Sequence, residues 1–206
     1  MAAVVNLDTL LAGRQVWRGR VAPSVPTGQP SGHALLDAAL PTGGWPEAAL
    51  TELLLPADGV GELRLLLPTL ARLTGTGQDV AVIAPPYRPY PPGWIAAGVD
   101  FGHVHFIDAP PREAMWASEQ CLRSGALAAV LCWPLNANDK ALRRLQVAAE
   151  AGQSLGFVFR DARAAGNPSP AALRIALDAV PAQLRVLKCR GGLAPTRAIA
   201  FAQPAH

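Results

Sequence analysis

The chain has 206 residues, half of them hydrophobic and 16% charged, with a formal net charge of +3. That length suits one domain with a sizeable core, and the composition excludes a disordered chain. No stretch reaches the roughly eighteen uninterrupted apolar residues that a membrane-spanning helix needs, and the N-terminal MAAVVNLDTLLAGRQVW shows neither a basic leader nor a clear cleavage site, which points to the cytoplasm.

Residues 6–20 read as a short helix carrying Leu7, Leu10, Leu11 and Trp17. Asn6 or Asp8 can cap it, and Arg14, Arg18 and Arg20 lie at its far end, where cations suit the helix dipole. VAPSVPTGQPSG (21–32) reads as an extended linker. The expected organisation is an N-terminal arm and linker over 1–30 and a core domain over 31–206.

The core alternates. ALTELLL (49–55) is a first strand, 60–73 a helix interrupted by Pro68, and DVAVIAP (79–85) a second strand. A short helix around Trp94 precedes VHFIDA (104–109), the third strand. Pro110 and Pro111 open a helix running to about Arg123, since proline suits a first turn. LAAVLCW (127–133), a helix over 137–151 ended by Gly152, and SLGFVFR (154–160) complete the alternation. Strands that are apolar on both faces belong in a parallel sheet covered by helices on both sides. Beyond DARAAGNPSPAA, the segments LRIALDAV, LRVLKCR and RAIAFAQ read as strands closing the sheet edge, with Gly191-Gly192 as a hairpin turn between the last two. The fold class is therefore α/β, with a largely parallel central sheet, helices on both faces and a closing antiparallel hairpin.

Residues 25–55 carry a more specific pattern. Thr27-Gly28, Leu36-Asp37, Leu40, Gly43-Gly44, Pro46 and Glu52 resemble the segment that opens the nucleotide-binding core of RecA-family proteins. The resemblance extends over 25–202 and implies a RecA-like core. Within that family, the small size, VWRG (16–19) and the degenerate phosphate loop look most like the ImuA accessory proteins of bacterial mutagenesis cassettes. That resemblance implies a role in SOS mutagenesis and translesion DNA synthesis after DNA damage. The implied partners are an ImuB-like Y-family polymerase relative and an error-prone replicative-type DNA polymerase, with RecA and a second copy of the chain as further candidates. The alternatives are a SulA-type cell-division inhibitor and a divergent ATPase.

A working phosphate loop, GxxxxGK[ST], uses backbone N–H groups, a lysine and a magnesium-binding hydroxyl. Here the loop candidate is Pro56, Asp58, Gly59, Gly61, Glu62 and Leu63. Glu62 takes the lysine place and sets a carboxylate against a triphosphate of like charge; Leu63 takes the hydroxyl place. Arg64 lies roughly 200° round the helix from Glu62 and points elsewhere. Pro86 stands where the resemblance places a catalytic glutamate, and Trp133 where it places the Walker B aspartate. Proline is no general base. The expectation is no ATPase activity, no catalytic residue, no cofactor and no metal.

Other candidates are binding surfaces. Lys140, Arg143 and Arg144 share a helix face at i, i+3 and i+4, either as a solvated face or as a patch for DNA or an acidic partner. Arg160 and Arg163 flank the loop that the resemblance places near a DNA-binding loop. With few aromatics there, any DNA contact is expected to be weak and salt-sensitive. In the arm, Leu10, Arg14, Trp17, Arg18 and Arg20 either pack on the core or dock a partner, Trp17 being the anchor. Asp108 is expected to cap the helix after Pro110-Pro111. His103 and His105 read as a strand-edge pair in preference to a metal pair, and Cys121, Cys132 and Cys189 as reduced core residues.

Overall fold

The computed structural model describes residues 27–134 and 137–201. Residues 1–26, and with them the predicted helix of the arm, lie outside the described residues. The described elements are α1 (Ala34–Ala39), β1 (Leu50–Leu55), α2 (Glu62–Gly75), β2 (Val80–Ile83), α3 (Pro91–Ala96), β3 (Val104–Ile107), α4 (Pro111–Arg123), β4 (Ala129–Cys132), α5 (Asp139–Gly152), β5 (Leu155–Asp161), β6 (Leu173–Ala179), β7 (Ala182–Cys189) and β8 (Ile199–Ala200). The eight strands form one sheet in the order β3-β2-β4-β5-β1-β6-β7-β8. The run from β3 to β6 is parallel, and β6, β7 and β8 pair antiparallel.

The apolar strands sit where their composition requires. β1, β2 and β4 are buried along their whole length. On one face Leu53, Leu55, Val82, Leu131, Phe157 and Ile175 pack in one core with Leu65, Leu66 and Leu70 of α2 and Trp94 of α3. On the other, Leu50, Ile83, Val130 and Val158 meet Ala114 and Leu122 of α4 and Leu142, Leu145 and Ala149 of α5. Helices thus cover both faces, as expected of a parallel sheet.

Three expectations are corrected. Pro68 does not interrupt α2, which runs unbroken through it. β3 is not doubly covered: it is the sheet edge, with His105 and Phe106 exposed. The tight turn of the closing hairpin is Val180-Pro181, between β6 and β7, whereas Gly191-Gly192 belongs to the longer connection into a two-residue β8.

The glycines of the opening segment have a steric cause. Gln29 bridges Trp45 in antiparallel fashion, and Gly28 N–H donates to Thr42 O at 2.8 Å. A Cβ on Gly28 would lie 2.8 Å from Thr42 O, and one on Gly44 would collide with the Gln29 carbonyl. The bridge delivers Trp45, fully buried, edge-on to Phe157 at 5.2 Å, with its Nε1–H donating to Thr69 Oγ1 at 2.8 Å.

At the centre of the sheet Glu52 has no exposure, and it is ion-paired to both Arg160 of β5 and Arg174 of β6. The guanidinium groups spend their remaining donors on carbonyls, Arg160 on Ala137 O at 2.8 Å and Arg174 on Ala164 O at 2.9 Å. Removing the carboxylate strands two nearly buried cations, a loss of about 3–5 kcal/mol. Glu52→Ala is therefore expected to lower urea-unfolding stability by that amount, whereas Glu47→Ala at the surface changes it by less than about 0.5 kcal/mol.

Candidate functional site

Parallel strands leave their C-terminal ends on one side, and open α/β sheets bind ligands there. This chain has a cleft of about 530 Å³ at that edge, lined by Pro56, Ala57 and Asp58 after β1, Pro85 and Pro86 after β2, Asp108 after β3, Trp133 and Pro134 after β4, and Arg160, Asp161 and Arg163 at the end of β5. Three of the positions singled out from sequence therefore do converge: the 56–58 loop, Pro86 and Trp133 face one cleft.

The loop between β1 and α2 has the strand–turn–helix form of a phosphate cradle, with Gly61 in the left-handed region (φ 105°) as the residue before α2. Its chemistry is inverted. Glu62 is buried, and its Oε1 accepts the Gly59 N–H at 2.8 Å. A donor that would serve a phosphate oxygen is already held by the chain's own carboxylate, and Oε2 is buried without a partner. Leu63 offers no metal-binding oxygen and packs against the core. Arg64 stacks over Phe201, 5.1 Å from its centroid, away from the cleft.

Trp133 follows the end of β4. It is nine-tenths buried and stacks on Phe159, with centroids 4.0 Å apart and planes 10° from parallel. Its Nε1–H has no hydrogen-bond partner. Asp108 does not cap α4, contrary to expectation: Pro110 is the residue before the helix and no side chain caps it. The Glu113 N–H of the first turn is taken by the Pro110 carbonyl at 2.8 Å, and Asp108 instead lines the cleft.

No protein-family model matches the chain, and no curated protein matches it. Among solved structures, the chain is similar to SulA from Pseudomonas aeruginosa at 26% identity, over 56% of this chain and 98% of that one, with a TM-score of 0.46.

The basic candidates fare differently. Arg160 is nearly buried and is paired with Glu52, with a further bond to Ala137 O. Arg163 is exposed but forks onto Asp161, with Nε and Nη2 bonds of 2.9 and 2.7 Å, and these hold Asp161 down to about 2. Lys140, Arg143 and Arg144 do lie on one helix, α5, with Lys140 exposed. Arg144 pairs with the buried Glu119 of α4, and Arg143 with Asp139 at 3.7 Å. Leu10, Arg14, Trp17, Arg18 and Arg20 lie outside the described residues.

The histidines share one carboxylate. His103 Nδ1 lies 2.9 Å and His105 Nε2 3.3 Å from Asp79 Oδ1, joining the start of β2 to the edge strand. Among the described residues no set of three or more His, Cys, Asp or Glu is placed to hold a metal. The three cysteines are free thiols, and burial pushes Cys132 up to about 12. Among the described residues no helix is long and apolar enough to cross a membrane.

Sequence reasoning treated Glu52 only as part of a resemblance. The signal was present: a lone glutamate inside the apolar strand ALTELLL needs buried cations beside it.

Two outcomes follow. The purified chain is expected to show no ATP turnover above background with or without DNA. Glu62→Lys is expected to admit inorganic phosphate at millimolar concentration, read as a phosphate-dependent rise in melting temperature absent from the parent, still without hydrolysis because Leu63, Pro86 and Trp133 remain. Separately, the hydrogen bonds from His103, then His105, hold the Asp79 carboxyl below its ordinary value. Their contribution to stability is present above the usual aspartate value of about 4 and is lost as pH falls through the depressed one. Asp79→Asn should therefore flatten the acid limb of a melting-temperature profile between about pH 2 and 6.

Proposed function

We propose that this chain is a non-catalytic accessory protein of damage-induced mutagenesis that acts by protein–protein binding. The observation that carries the reading is the loop after β1, where Glu62 replaces a lysine and its carboxylate takes the Gly59 N–H. A site built this way sets a carboxylate where a triphosphate needs a cation, and so repels it. The fold then serves as a scaffold for partners, and the resemblance of 16–19 and 25–55 to ImuA-like proteins supports the SOS and translesion-synthesis setting.

In this reading the main partner is an ImuB-like Y-family polymerase relative, and through it an error-prone replicative-type polymerase, with RecA or a second copy of the chain as further contacts. DNA contact is indirect or weak, because Arg144 and Arg160 are committed to internal carboxylates. The test is a pull-down with the tagged full-length chain from DNA-damaged cells, followed by titration of the purified ImuB-like protein. Retention of a tubulin-like division protein instead would move the assignment to a division inhibitor, and ATP turnover would move it to a divergent ATPase. With Trp17 as anchor, Trp17→Ala is expected to weaken partner affinity about thirtyfold, for a loss of about 2 kcal/mol, while the melting temperature stays unchanged. A melting temperature that falls together with affinity would place the arm in the core.

A further inference from the structure

Asp58 and Asp108 are distinctive among the described carboxylates. Every other aspartate and glutamate there has a hydrogen bond or ion pair, and these two have none. Both are exposed, and both line the cleft at the C-terminal edge of the sheet. The arginines of that cleft do not neutralise them, since Arg160 belongs to Glu52 and Arg163 to Asp161. Behind them stands the Trp133–Phe159 stack, with a nine-tenths buried indole N–H that lacks an acceptor. The cleft therefore asks for two things at once, a cation for Asp58 and Asp108 and a carbonyl for Trp133. A phosphate ligand fits neither carboxylate, and a metal ion would find too few ligands. A peptide segment bearing arginine supplies both: a planar guanidinium matches a carboxylate and lies well against an aromatic face, and the main chain supplies carbonyls.

The sequence contains such a segment. From Thr9 to Leu36 there is no aspartate or glutamate, and Arg14, Arg18 and Arg20 lie within it. The described chain begins close to Gln29, which lines a groove with Ala128 and Leu155, at the N-terminal ends of β4 and β5. β5 has seven residues and spans about 23 Å. The nine residues from Arg18 to Thr27 extend to about 30 Å, enough to bring Arg18 from that end of the sheet to the other. We propose that the cleft is the seat of the chain's own arginine segment, residues 14–20, with arginines on Asp58 and Asp108. Partner binding through Trp17 would then draw the segment out of its seat. The seat itself does not depend on who that partner is.

Two measurements on the full-length chain test this. First, Arg14, Arg18 and Arg20 are changed together to Lys, and the protein is treated with a carbodiimide that joins an amine to a carboxylate in contact. A cross-link from residue 14, 18 or 20 to Asp58 or Asp108 within the monomer band is expected. Second, trypsin cleavage after Arg14, Arg18 and Arg20 is followed in the parent and in Asp58→Asn/Asp108→Asn. The variant is expected to be cut about tenfold faster with an unchanged melting temperature. Cross-links only to other carboxylates, or none together with equal cleavage rates, would overturn the proposal. A cross-link confined to the dimer band would also overturn it, by giving the seat to a second copy.

Discussion

A carboxylate with no solvent exposure needs cations brought to it, and Glu52 receives two from different strands. It lies on β1, between β5 and β6, and directly opposite Arg174 in the parallel register. Because a one-residue slip turns every side chain to the other face of a sheet, the pairing of Glu52 with Arg174 and Arg160 specifies register as well as neighbour. The same guanidinium groups then reach carbonyls in segments beyond the strands. Arg160 holds Ala137, at the entry to α5, and Arg174 holds Ala164 and Ala165, in the 3-10 turn after β5. One buried acid thus ties the middle of the sheet to the connections that border the cleft.

That tie commits an arginine at the end of β5 to the core even though it sits at a cleft. Its charge is spent internally, and freeing it would expose an unpaired carboxylate in the core, at a cost that a single phosphate contact would not offset. The loop after β1 follows the same logic on a smaller scale. Gly59 and Gly61 keep the backbone shape that presents N–H groups, while Glu62 uses one of those groups to satisfy itself.

Much of the fold was legible because the signals were local. Valine- and isoleucine-rich runs bounded by Gly and Pro gave the parallel strands to within a few residues, and Pro110-Pro111 gave the start of α4. The convergence of the 56–58 loop, Pro86 and Trp133 was legible because the resemblance to RecA-family proteins assigns each of them to the end of a strand in one parallel sheet. The remainder depended on partners distant in sequence. Arg160 and Arg174 lie 108 and 122 residues from Glu52, so no pattern within a window ties them. Arg144 looked like part of a surface patch because its acid, Glu119, sits on another helix. Pro68 looked like a helix breaker because local propensity takes no account of the packing of α2. There the whole helix is held by Leu65, Leu66 and Leu70 in the core, and the loss of one N–H is absorbed. His103 and His105 looked like a strand-edge pair, but only His105 lies on the edge strand, His103 ends the 3-10 turn before it, and their common partner Asp79 comes from the neighbouring strand's entry.

The balance of charge carries the last step. A net charge of +3, nearly all of it arginine, invites a nucleic-acid reading. Yet the described arginines at positions 123, 143, 144, 160, 163, 174, 185 and 190 are each paired with a carboxylate of the same chain. Exposed pairs of this kind add little stability, but they do remove the field that would draw a phosphate backbone, particularly at physiological salt. Among the described carboxylates only Asp58 and Asp108 are left unmatched, and both line one cleft. Specificity in such a protein comes from where the uncompensated charges lie. Where most arginines are matched by the chain's own acids, the carboxylates that remain unmatched weigh most in what a cleft can attract or reject.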